Sequence, residues 1–292
     1  MTSPDAFYAG AKVERCEIDD ATLAVRRFGS GPPVLFVHGF PVHGYTWRRL
    51  LPALAERFTC VVVDLPGLGD SDWNDATDFR FTAQARRLRG LAEQLGLARV
   101  ALVAHDTGAT VARLLALAAP ERVAKLVLIN TEIPGHRPPW IPLYQALTRA
   151  PGAGATFRLL LRSDRFLRSS LGFGEFFSDP RRFDEPGALA AYVDPVVASS
   201  RRAQGMIRYL GGIEWDAVDR LREDHARIKV PALFLWGEDD RTFPVSQGER
   251  MAAQLGGPTR FERIRGASLM PHEERPEIVL THLEPFLDFT SE

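Results

Sequence analysis

The stretch from Val100 to Arg113 constrains this chain more than any other: Val-Ala-Leu-Val-Ala-His-Asp-Thr-Gly-Ala-Thr-Val-Ala-Arg. An apolar run, Val100 to Ala104, leads into His105-Asp106-Thr107-Gly108. Val111, Leu114, Leu115 and Leu117 then recur at helical spacing. A strand, a tight turn between small residues and a helix lift one side chain above a sheet, and that side chain is usually a nucleophile. Here it belongs to Asp106. A carboxylate nucleophile is useful mainly against saturated carbon. The plainer alternative is that Asp106 only caps the following helix.

The flanking pattern predicts the fold class. Residues 12–28 read as two strands turning at Asp19-Asp20, followed by a loop at Gly29–Pro33. Apolar strands are expected at Val34–Val37, Cys60–Leu65, Val100–Ala104, Lys125–Asn130, Ala232–Trp236 and Phe261–Ile264. Helices are expected at Tyr45–Arg57, Phe81–Leu95, from the turn to about Ala119, Val245–Leu255 and Glu274–Phe289. Strands alternating with helices give an α/β fold, with a mostly parallel sheet and helices on both faces. From Pro134 to Lys229 strand signals stop and helical, Pro-, Gly- and Arg-containing sequence takes over. The expected organisation is a core of residues 1–133 and 230–292 with a helical cap, 134–229, inserted after the sixth main strand.

With 292 residues, the chain is long enough for one domain with an insertion. A net charge of −1 offers no electrostatic case for nucleic acid or an anionic membrane. Cys16 and Cys60 do not make a disulfide framework. The first residues have neither a basic region nor an apolar segment typical of a signal peptide, and no apolar run approaches membrane-spanning length. The expectation is a cytoplasmic enzyme, monomeric or homodimeric, with a small apolar organic substrate and no metal or other cofactor.

Ligands of parallel sheets sit at the carboxyl ends of the strands. Four polar motifs follow such ends: His38-Gly39-Phe40-Pro41, His105-Asp106-Thr107-Gly108, Trp236-Gly237-Glu238-Asp239-Asp240 and Arg265 to Pro276. Their order and spacing resemble the α/β-hydrolase superfamily over residues 12–290. Asp at the elbow and Pro41 after His38-Gly39 resemble its haloalkane dehalogenase, haloacetate dehalogenase and epoxide hydrolase branch. The resemblance implies that Asp106 attacks carbon to form an alkyl–enzyme ester. A His–acid pair would then activate water against that ester. Backbone N–H groups of Phe40 and Thr107 would form the oxyanion hole, and Asp240 would be the acid, with Asp239 its nearest rival. Asn130 stands at an alternative acid position and, being neutral, leaves that role to Asp240.

Three departures bear on this implied chemistry. Aligning Glu273-Glu274-Arg275-Pro276 with the branch puts Leu269 where the base His stands, and the candidate imidazole, His272, lies three residues on. Thr107 replaces the Trp or Arg common after the nucleophile. The segment Arg208 to Trp215 is similar to one that supplies an epoxide-polarising Tyr, which makes Tyr209 a candidate proton donor. Tyr144 and Tyr192 are candidates for a second without a motif. Trp140 and Trp215 are candidates to line the substrate pocket. His38 is expected to orient the oxyanion loop, His105 to bond locally, Trp47 and Trp236 to pack in the core, and Arg158 to Arg168 to form a solvated helix face. Leu269 keeps two alternatives open. One is a non-hydrolysing, ligand-binding relative; the other is a lyase or isomerase that uses Asp106 as a base.

Overall fold

Alternation along the strands builds one sheet with a core on each face. The computed structural model describes residues 2–185 and 189–288. Its strands are β1 (Val13–Ile18), β2 (Ala21–Phe28), β3 (Pro33–Val37), β4 (Thr59–Val63), β5 (Asp72–Trp73), β6 (Val100–His105), β7 (Val123–Ile129), β8 (Ala232–Gly237) and β9 (Thr259–Ile264). The sheet order is β1-β2-β4-β3-β6-β7-β8-β9, with β5 pairing β2 at its side. β1, β2 and β4 pair antiparallel, and from β4 through β3, β6, β7 and β8 to β9 every pairing is parallel.

Successive strand residues point to opposite faces. Leu35, Val37, Val61, Val63, Leu102 and Ala104 join one buried cluster. Their neighbours Val34, Phe36, Cys60, Val62, Ala101 and Val103 join another. The first is covered by helices Phe81–Gln94 and Thr107–Ala118, which contribute Phe81, Leu88, Leu91, Val111 and Leu115. Leu51, Leu54, Val279 and Leu283, from helices Leu51–Leu54 and Pro276–Leu287, cover the second. Both cysteines are buried and free.

Between β7 and β8 the described chain is helical, with helices at Trp140–Leu147, Ala153–Leu160, Asp164–Leu167, Ala190–Ala198, Ser200–Gly211 and Trp215–Asp224. Two expected helices are broken. Tyr45–Arg57 divides into a 3₁₀ turn, Gly44–Trp47, and a short helix with Pro52 in its first turn, where the missing N–H costs least. The closing helix, expected over Glu274–Phe289, runs Pro276–Leu287 after a separate short helix at Pro271–Glu274, and Phe289 lies outside the described residues; Arg275 between the two takes φ −135° and ψ 54° before Pro276, since a residue before proline is pushed out of the helical region. Among the described residues no helix is long and apolar enough to cross a membrane.

Candidate active site

The turn after β6 holds Asp106 at φ 51° and ψ −128°, a conformation unfavourable for a side-chain-bearing residue. Its N–H lies 3.1 Å from the Ile129 oxygen and 2.8 Å from that of Asn130, both at the end of β7. Close neighbours require glycine on two sides. A Cβ on Gly39 would lie 2.4 Å from the Asp106 Cβ, and one on Gly108 would lie 2.3 Å from the His38 carbonyl oxygen. The carboxyl does not cap helix Thr107–Ala118. Instead, Oδ2 accepts the Phe40 N–H at 2.8 Å. His38 fixes the loop carrying that donor: its Nε2 accepts the Leu65 N–H at 2.9 Å and its Nδ1 lies 2.8 Å from the Gly39 oxygen. Burial, followed by the negative charge of Glu132, pushes the Asp106 carboxyl well above the usual range. The N–H groups of Thr107 and Phe40 pull the other way.

Asp106 opens into a cavity of about 100 Å³. Phe40, Trp140, Tyr144, Phe157, Trp215 and Leu269 give it a largely apolar wall, drawn from both the sheet ends and the intervening helices. Trp140 and Trp215 both line this cavity, and the Trp215 indole N–H is donated to Gln145 Oε1 at 2.7 Å. Tyr209 is wholly buried behind this wall. Its ring stacks on Phe40 at 5.6 Å, and its hydroxyl lies 3.0 Å from Thr107 Oγ1. Burial raises its pKa.

The structure does not assemble a His–acid pair at Asp106. Asp240 Oδ1 accepts the N–H groups of Thr242 and Phe243 at 2.7 and 2.9 Å, and Oδ2 accepts the Asn130 amide at 2.6 Å. Burial lifts this carboxyl to about 7 against those donors. Asp239 instead accepts a hydrogen bond from the exposed Ser178 hydroxyl. Leu269 is only 3% exposed and forms part of the cavity wall. His272 lies outside that wall: its Nε2 is 2.7 Å from Thr46 Oγ1, and its ring packs on Trp47 and His105 at 4.7 and 4.6 Å. No described hydrogen bond joins His272 to Asp106 or Asp240. Burial and the Arg48 charge push the His272 imidazole down to about 3. His105 spends its Nε2 on the Leu269 oxygen, 3.0 Å away.

Glu132 is the residue that motif reading missed. It follows β7 by three positions, is buried, and lines the cavity with Asp106. Its Oε2 accepts the Thr110 and Thr131 hydroxyls at 2.6 and 3.0 Å. Its location at the carboxyl end of a parallel strand was the available signal. Among the described residues no group of three or more His, Cys, Asp or Glu is placed to hold a metal ion.

Comparison with known proteins agrees with this architecture. The profile of the family described as alpha/beta hydrolase fold matches residues 32–276. A soluble epoxide hydrolase of Corynebacterium sp. is 40% identical over 107 residues, 37% of this chain and 37% of that protein. A haloalkane dehalogenase of Mesorhizobium japonicum is 33% identical over 176 residues, covering 58% of this chain and 56% of its own length. The solved haloalkane dehalogenase of Bradyrhizobium elkani superposes with a TM-score of 0.74 at 26% identity, over 92% of this chain and 94% of that one. The chain belongs to the α/β-hydrolase fold family, and within it is similar to epoxide hydrolases and haloalkane dehalogenases.

Proposed function

We propose that this hydrolase uses Asp106 as a nucleophile to open a small apolar epoxide through an alkyl–enzyme ester, beneath a cap formed by the 134–229 helices. One observation carries the reading: Asp106 Oδ2 rests on the Phe40 N–H at the floor of an apolar cavity. Attack by the other oxygen leaves Oδ2 as the ester carbonyl. The same N–H then stabilises negative charge on Oδ2 when water adds. Epoxide is favoured over halide because the opening ring needs a donor to oxygen. Thr107 lines the cavity, and its hydroxyl is backed by that of Tyr209 at 3.0 Å. The Trp215 indole, a potential halide donor, is engaged elsewhere. The test is a panel of apolar epoxides followed by product analysis and intact-mass spectrometry. Diol or an Asp106-bound adduct is expected, and Asp106→Asn should lower consumption by at least about 10³-fold. No consumption, no adduct and no effect of Asp106→Asn would sink the reading.

A second reading, a ligand-binding protein, is favoured by Leu269 in the wall and by the fully occupied Asp240 carboxylate. It predicts that small apolar molecules raise the melting temperature by binding the native state while no epoxide is consumed and no adduct forms.

A further inference from the structure

Water must be activated at a site whose wall, among the described residues, contains no imidazole. Besides Asp106, the carboxyls lining the cavity are Glu132 and Glu175. Glu175 is paired with the Arg241 guanidinium, 3.7 Å away. Glu132 is held differently. Its Oε2 is fixed by Thr110 and Thr131, while Oε1 makes no hydrogen bond to another described residue. The Thr131 hydroxyl also lies 2.8 Å from the Asp106 carbonyl oxygen, so its single proton stands between the two carboxyl-bearing residues and can be given to either. Beneath them the buried Arg113 guanidinium reaches Thr110 Oγ1, Thr131 Oγ1 and the Glu132 carbonyl oxygen at 2.8, 3.0 and 2.9 Å.

We propose that Glu132 is the proton carrier of this site, acting first as acid to the opening ring and then as base for the water that cleaves the Asp106 ester. The inference rests on the reading of Asp106 as nucleophile. At the start the two carboxyls hold one proton, on Glu132 in the reactive form. Asp106 forms its bond to carbon, the carbon–oxygen bond of the ring breaks, and the ring oxygen takes the Glu132 proton. Esterification makes Asp106 neutral, which removes the charge beside Glu132 and favours its carboxylate. Water then adds to the ester carbonyl carbon and gives a proton to Glu132. The tetrahedral intermediate expels the second product oxygen as alkoxide, which is protonated by the carboxyl regenerated on Asp106. Epoxide plus water has become diol, and Glu132 carries the proton again.

The test separates the two roles with styrene oxide and 1-bromohexane, since displacement of bromide needs no acid. With Glu132→Gln, bromohexane should still alkylate Asp106. Ester release should fall by about 10²–10⁴-fold, the usual loss for a missing general base, so that one hexyl group accumulates on the Asp106 peptide. Styrene oxide should react more slowly in both steps. Release as fast as in the wild type, or a wild-type ester that is never released, overturns the proposal and leaves the nucleophile standing. Failure of both probes to modify or be consumed by any form overturns both readings. Should the Gln variant not fold, Glu132→Asp withdraws the carboxylate by one methylene and should slow release at least about tenfold, less than the loss of the whole base. Its unchanged release overturns the proposal equally.

Discussion

At the scale of single residues, the site concentrates carboxyls where water is scarce, and this leaves a thermodynamic signature. Asp240 is buried, and its pKa rises from 3.8 to about 7 in the folded protein. The folded state therefore holds this proton more tightly than the unfolded chain. Its contribution is fully present below pH 3.8 and disappears as pH rises through about 7. A difference of three in pKa corresponds to about 4 kcal/mol at most. Unfolding free energy measured between pH 5 and pH 8 should fall more steeply with pH in the wild type than in Asp240→Asn, which cannot titrate. Equal slopes would show that Asp240 does not carry the raised pKa. The same residue illustrates what a motif conveys and what it omits. The register after Trp236-Gly237 singled out Asp240, yet its three donors, including the Asn130 amide, arise from contacts no spacing reveals.

At the scale of elements, the elbow works only because two backbones approach within glycine distance. Adding a methyl to Gly108 puts carbon 2.3 Å from the His38 carbonyl oxygen, which is backbone and cannot swing aside. Gly108→Ala should cost about 1–3 kcal/mol by overpacking, read as a lower denaturant midpoint. It should also slow Asp106 alkylation, because His38 sits in the loop that presents the Phe40 N–H. A stable variant with unchanged alkylation would contradict this. Strands and the elbow were legible because short continuous apolar runs, buried on both faces of a parallel sheet, and a small-residue turn are local signals. Helix interruptions at Pro52 and Pro276 were also written in the sequence, but apolar periodicity across each proline masked them. Leu269 was placed by alignment against Glu273 to Pro276; Glu132 was not, because its place in the cavity wall depends on β7 ending beside β6.

At the scale of the whole molecule, the helices between β7 and β8 are joined to the sheet end by a buried polar cluster. Glu273 accepts two hydrogen bonds from Arg48, both at 2.7 Å, and a third from the Tyr192 hydroxyl at 2.7 Å. Tyr192 lies on helix Ala190–Ala198, whereas Arg48 and Glu273 belong to segments flanking the sheet. Removing the carboxylate would leave Asp5, 2.9 Å from the Arg48 Nε, as the one carboxylate still bonded to this buried guanidinium among the described residues, and would damage both sides, a loss of up to about 3–5 kcal/mol. Tyr192→Phe is more selective, because it deletes one charge-assisted hydrogen bond, worth about 1.5–3 kcal/mol, and leaves the Arg48 pair intact. If this bond anchors the helices over the cavity, amide exchange should quicken in Ala190–Ala198 and remain slow in β6. Apolar ligands should bind more weakly, since the wall they touch is less ordered. The rate at which a saturating substrate alkylates Asp106 should not change, because the Phe40 donor and the elbow are untouched. Exchange that quickens equally in β6 would mean that the cluster stabilises the whole fold rather than the seating of these helices.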